Sequence, residues 1–197
     1  MTNSACITGY GIIDALGSTE DECYANYMSA SDFRSSIDTK TNINKAYIVS
    51  NTNIVIPSKV NPVNLSKNSR MALHVVQRAI AMAGVTGSNV GVFFSSNVPL
   101  DHLTDYMSNL LGVSSKRAGP RKIIDGMTGS ISSLVCLTYG FEGINVGVNA
   151  ACATGLATID YAMRYIDDYD FVIVGTSDSV SNVTLSSFST LGALSNE

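Results

Sequence analysis

One stretch of the chain carries the residue types that chemistry needs at a usable spacing: Asn149-Ala150-Ala151-Cys152-Ala153-Thr154-Gly155-Leu156, a run of small residues around a single thiol. Before it, Ile144, Val146 and Val148 alternate with Asn145, Gly147 and Asn149, the period of a strand, and after it a helical pattern extends to Ile166. Cys152 therefore stands at a strand-to-helix turn. The unpaired N–H groups and positive dipole end of a helix favour a thiolate placed there, and the thiolate is the nucleophile. A free cysteine is more often a small core residue. Here the flanking alanines and glycine clear the space an acyl group needs to approach, which tips the reading toward a nucleophile elbow.

The elements that must position this turn follow an α/β pattern. Val90 to Phe94 and Phe171 to Val174 are continuous apolar runs, the signature of strands buried on both faces. Between and around them lie helical segments: Glu20 to Met28, then Ser66 as a cap for a helix ending at Gly84, then Gly129 to Tyr139 ending at Gly140. The 66–84 helix places Ala72, Val75, Val76, Ala79, Ile80 and Ala83 on one face, with His74 packed or on the surface. Further helical content is expected near His102 to Leu111, and a short strand near Ala46 to Val49. The helix after Cys152 is apolar on nearly every side and is expected to be buried all round. Alternating strands and helices imply a mainly parallel sheet in an α/β layer.

Composition narrows the function classes. The chain has 197 residues, of which 14% are charged, against about 25% in an average soluble protein. So little charged surface implies that part of the chain is covered by a partner. A net charge of −4 argues against nucleic acid as a partner. The four cysteines, Cys6, Cys23, Cys136 and Cys152, form neither a C-x-x-C nor a zinc-type cluster, and no metal or cofactor is expected. The first residues lack a signal-peptide pattern, and no apolar run reaches the roughly 18 residues of a membrane span, so a cytoplasmic protein without membrane association is expected. The Gly9-Tyr10-Gly11 turn lacks the third glycine and acidic residue of a dinucleotide loop. The basic cluster from Lys116 to Lys122 has two readings, a solvated loop or a docking patch for an acidic carrier.

Taken together, these segments resemble the β-ketoacyl-acyl carrier protein synthases, condensing enzymes of the thiolase superfamily. Asn149 to Gly155, between its strand and Phe171-Val-Ile-Val-Gly175, resembles their nucleophile region. Ile7-Thr8-Gly9-Tyr10-Gly11 to Gly17 resembles the opening strand and loop. Arg70-Met71, Val90-Gly91-Val92, Tyr139 to Gly143 and Phe188 with Leu191 to Ser195 follow in the family's order.

The resemblance implies a thiolase-like half of three α/β/α layers, with a mainly parallel mixed sheet and a buried helix after the cysteine. It implies that Cys152 takes an acyl chain as a thioester for decarboxylative condensation with malonyl-carrier, its own N–H helping to hold the oxyanion. Met127 and Phe188 would lie near the acyl pocket, and Lys67, Arg70, Arg121 and Lys122 would grip an acyl carrier protein. Gly129 and Ser130 stand where the family commonly has asparagine and methionine, and the segment between Lys122 and Ser130 is shorter than usual. The two histidines and the lysine of the family's second half are missing from residues 1–197, whose only histidines are His74 and His102. The expectation is an N-terminal-type domain over 1–197 that needs a C-terminal half, as a homodimer or a heteromer, in fatty acid or polyketide synthesis. Two alternatives stand beside it: a non-catalytic scaffold or chain-length subunit, and a superfamily acyltransferase that uses acyl-CoA.

Overall fold

A computed structural model describes residues 4–29, 31–36, 45–97 and 121–195, with the single positions 104, 107 and 111. The helix expected near His102 to Leu111 lies largely outside the described residues, as do His102 and Lys116 to Pro120.

The elements are α1 (Glu20–Met28), β1 (Ser35–Ser36), β2 (Lys45–Ala46), α2 (Lys67–Ala83), β3 (Val90–Ser95), α3 (Arg121–Asp125), α4 (Ser130–Tyr139), β4 (Asn145–Val146), α5 (Thr154–Met163), β5 (Phe171–Thr176) and α6 (Asn182–Thr190). Single 3-10 turns sit at Asn51–Asn53, Pro62–Asn64, Ala151–Ala153 and Ile166–Asp168. The short α3 interrupts a stretch that the sequence pattern leaves as loop.

α2 begins and ends for identifiable reasons. The Ser66 hydroxyl accepts from the Ser69 N–H, satisfying a donor that the helix itself leaves unpaired. At the other end Gly84 takes the left-handed region, φ 64°, and donates its N–H to the Ile80 carbonyl. Replacing Ser66 with alanine is expected to destabilise the protein by about 1 kcal/mol, read as a lower urea midpoint at unchanged slope.

β3 is the centre of a three-stranded sheet of order β4-β3-β5, parallel throughout, in which Val92 pairs with Asn145 on one side and Ile173 on the other. All six residues of β3 are buried. Side chains alternate across a strand. Val92 and Phe94 join Ala72, Leu73 and Val76 of α2 and Ile131 and Val135 of α4 in one core. Phe93 faces the opposite layer, where its ring meets Tyr161 and Tyr165 at 6.3 and 5.6 Å. The result is the three-layer α/β/α arrangement, with α2 and α4 on one face and α5 on the other. Gly175 makes room for the Phe94 ring, which a Cβ there would strike.

Two expectations need correcting. β5 is not buried on both faces: its residues are half-buried or exposed, because it is the edge of this sheet. Beyond that edge lies a cleft of about 770 Å³, walled on the far side by Ala5 to Ala15, which run along α2 without entering a ladder. The second concerns α5, which buries only Thr154, Thr158 and Ala162. Leu156 is 76% and Ile159 51% exposed, so one face of this apolar helix is covered and the other is not. No helix among the described residues is long and apolar enough to cross a membrane.

Candidate functional site

The residues between β4 and α5 turn sharply. Ala151 has φ 49°, the one non-glycine residue in the left-handed region among those described. A non-glycine residue held there costs on the order of 1–3 kcal/mol and persists only when its surroundings impose it. Three hydrogen bonds do so locally. The Ala151 N–H donates to the Asn149 side-chain oxygen at 3.1 Å, the Ala150 N–H to the Thr154 hydroxyl at 3.0 Å, and the Thr154 hydroxyl to the Ala151 carbonyl at 2.7 Å. Thr158, one turn on, donates to the Thr154 carbonyl at 2.7 Å, and the Ser95 hydroxyl accepts from the Val148 N–H at 2.8 Å. Cys152 is the middle residue of the resulting 3-10 turn, immediately before α5, and is exposed. Among the described residues its own N–H has no hydrogen-bond acceptor. A nucleophile beside a free N–H at a helix start can attack a carbonyl and have the resulting oxyanion held by that donor.

The other thiols do not compete on equal terms. Cys23 is buried, and its loss of solvation, with the Asp14 carboxylate 3.2 Å away, pushes its pKa up to about 11. Burial also raises the pKa of Cys136. Cys6 is exposed but lies in the extended N-terminal segment, without a helix behind it. Brief iodoacetamide treatment of the folded protein near neutral pH is therefore expected to label Cys6 and Cys152 and to spare Cys23 and Cys136. Peptide mass mapping checks this.

The remaining residues proposed from sequence fall into three places. Lys67 and Arg70 sit on the first turn of α2, while Arg121 and Lys122 open α3. Asp125 joins the two helices: its carboxylate accepts from the Ser66 N–H at 2.7 Å and the Ser69 hydroxyl at 2.5 Å. Segments more than fifty residues apart in the chain thus bring their basic residues to adjoining helices. The Arg70 guanidinium reaches the Asn51 side-chain oxygen at 3.3 Å. Met127 is exposed, just ahead of α4, in a segment that packs on the approach to the elbow: a Cβ on Gly147 would lie 2.7 Å from the Thr128 carbonyl oxygen. Phe188 is 40% exposed on α6, whose first turn is capped by the Ser181 hydroxyl accepting from the Thr184 N–H. His74 is buried in α2 and its Nδ1 is engaged by the Val55 backbone at 3.1 Å, so of the two places open to it, packed or on the surface, it takes the packed one.

What sequence reasoning missed is the polar layer beneath the elbow, at the carboxyl ends of β3 and β5. Asn68 donates to the Ser96 hydroxyl at 2.7 Å, which donates in turn to the Asp178 carboxylate at 3.0 Å. Ser177 donates to both the carbonyl and the side-chain oxygen of Asn68. Asn149 donates to the Asn97 carbonyl at 2.7 Å. The only sequence signal was the change from apolar to polar residues at the end of each strand, at Ser95-Ser96-Asn97 and Thr176-Ser177-Asp178. Crevices at the carboxyl ends of parallel strands are where α/β sheets bind ligands.

Comparison with known proteins gives the same direction. Residues 4–197 match the family described as Beta-ketoacyl synthase, N-terminal domain. The 3-oxoacyl-[acyl-carrier-protein] synthase 1 of Haemophilus influenzae is 24% identical over 209 residues, which cover 96% of this chain and 50% of that protein. Among solved structures, a β-ketoacyl synthase from Burkholderia phymatum superposes with a TM-score of 0.82 at 22% identity, covering 97% of this chain and 50% of its own. The ishigamide ketosynthase/chain length factor also gives 0.82, at 18% identity over 97% of this chain and 51% of that one. The chain spans about half the length of the relatives it matches.

Proposed function

The chain belongs to the β-ketoacyl synthase N-terminal domain family, and from that premise we propose that it is the nucleophile-bearing half of a condensing enzyme. Cys152 is the acyl acceptor. Its thiolate attacks the carbonyl carbon of an acyl thioester carried by an acyl carrier protein. A new C–S bond forms as the carrier's C–S bond breaks, and the carrier leaves as the thiol once it has taken up a proton. The oxyanion of the tetrahedral intermediate is held by the Cys152 N–H and the start of α5. The following step, loss of CO₂ from a malonyl thioester and attack of the resulting carbanion on the Cys152 thioester, needs histidines supplied by a C-terminal half.

The observation that carries the reading is the exposed thiol on a backbone turn strained at Ala151 and braced by Asn149 and Thr154. Met127 and Phe188 are assigned to the acyl pocket. Lys67, Arg70, Arg121 and Lys122 are assigned to the carrier's acidic surface, supported by the Asp125 junction that brings α2 and α3 together. The uncovered face of α5, with Leu156 and Ile159 exposed, supports a second half or a second copy as its cover. Fatty acid or polyketide synthesis is the setting this implies, in the cytoplasm.

A second reading is a scaffold or chain-length subunit that docks carrier protein without catalysis. Incubation with an acyl-carrier thioester, alone and with a C-terminal-half protein, followed by mass measurement, separates the two. An acyl adduct on the Cys152 peptide supports the condensing enzyme, and its absence in both mixtures supports the scaffold. An adduct formed equally well from acyl-CoA points to an acyltransferase of broader thioester use.

A further inference from the structure

We infer that Asp178 is a positioning residue for Cys152, acting through Asn97 and Asn149 to hold the strained elbow in shape. This rests on the reading of Cys152 as an acyl acceptor and deepens it by naming what fixes the nucleophile's geometry.

The connection is a continuous set of hydrogen bonds between three segments distant in the chain. Asp178 follows β5 directly, and one of its carboxylate oxygens accepts from both the Asn97 N–H at 2.8 Å and the Ser96 hydroxyl at 3.0 Å. That N–H belongs to the peptide unit between Ser96 and Asn97. The carbonyl of the same unit, at 3.5 Å, and the Asn97 carbonyl, at 2.7 Å, both face the Asn149 carboxamide nitrogen. The segment is thereby clamped between the Asp178 carboxylate and the Asn149 side chain. Asn149 uses its remaining polar atom on the elbow, where its oxygen accepts from the Ala151 N–H at 3.1 Å. Ala151 is the residue with positive φ, and Cys152 is next.

The direction of the hydrogen bonds gives the arrangement its specificity. A carboxylate accepts only, so it selects the orientation of the Ser96–Asn97 peptide whose N–H faces β5 and whose carbonyl faces Asn149. The reverse orientation would set a carbonyl against Asp178 and take an acceptor from Asn149. With no partner fixing its nitrogen, the Asn149 carboxamide could rotate away from Ala151. Asn68 supports the same end of β3 by donating to the Ser96 hydroxyl at 2.7 Å, so the clamp is anchored on buried structure. Asp178 itself is exposed, so its carboxylate is not required to fill the core.

Two measurements on Asp178→Ala, Asp178→Asn, Asn149→Ala and the Asp178→Ala/Asn149→Ala pair test this. In amide hydrogen exchange on the whole chain, Asp178→Ala is expected to speed exchange at Ala150 and Ala151 about tenfold or more, with core amides of β3 and α4 unchanged. Asp178→Asn keeps an oxygen acceptor but adds a donor that tolerates the reversed peptide, and is expected to exchange at a rate between those of wild type and Asp178→Ala. The double variant is expected to exchange no faster than Asn149→Ala, because both act through one connection. In the acyl-transfer assay, Asp178→Ala is expected to slow Cys152 acylation about ten- to a hundredfold, the size of effect that misplacing a reacting group produces. Unchanged exchange at Ala150 and Ala151 in Asp178→Ala overturns the inference. A uniform rise across the chain, or an acylation rate equal to wild type, does so too. If wild-type protein accepts no acyl group while exchange follows the expected pattern, Asp178 still positions the elbow and the acyl-acceptor reading is what fails.

Discussion

Cys152→Ala is expected to abolish acyl transfer to the protein completely while leaving its stability within about 0.5 kcal/mol of wild type. The two halves of this result have separate causes. A thioester link needs a sulfur, and the other exposed thiol, Cys6, lacks the helix start that follows Cys152. Cys23 and Cys136 are buried with raised pKa values, so neither can substitute at neutral pH. The stability half follows from exposure: the Cys152 side chain fills no core space, and the turn is held by Asn149 and Thr154. Intact-mass spectra after incubation with acyl-carrier thioester, beside a urea titration, check both. A residual adduct in the variant would place the acceptor elsewhere, and a large loss of stability would mean that the sulfur is part of the packing.

Phe94→Ala is expected to cost about 3–5 kcal/mol, a large share of the roughly 5–15 kcal/mol that holds a domain together. Phe94 is 1% exposed and sits among Ala72, Leu73, Val76, Ile131 and Val135, where α2 and α4 both meet β3. Removing the ring leaves a cavity bounded by two helices and by Gly175, which has no side chain to fill it. The surroundings can collapse only partly, so the cavity cost adds to the lost burial. Urea unfolding should show the lower midpoint, and acyl transfer at low temperature should decline less than stability does, since Phe94 takes no part in the elbow's hydrogen bonds.

Local structure was legible where local rules govern it. Ser66 and Gly84 bracket α2 because a hydroxyl cap and a left-handed glycine are short-range devices, and both ends fall where the sequence places them. The five-residue apolar run at Val90 marks β3, since a central strand must be apolar on both sides. The same rule failed for Phe171 to Val174, which is as continuously apolar and stands at an edge. Hydrophobicity records what a strand would tolerate, whereas its neighbours decide what covers it. The helix after Cys152 shows the same limit: its apolar residues are present all round, yet Leu156 and Ile159 face outward.

The chain's own residues determined that a thiol stands between a strand and a helix among side chains too small to block it, because alternation, helical period and side-chain volume are properties of neighbouring residues. Tertiary structure alone decided what holds that thiol in place. Asn68 and Ser96 are 28 residues apart and Ser96 and Asp178 are 82 apart, and they meet only because β3 and β5 pair in parallel and end side by side. A hydrogen bond acts over about 3 Å, so which polar residues brace the elbow is set by the register of the sheet, which no short window of sequence contains.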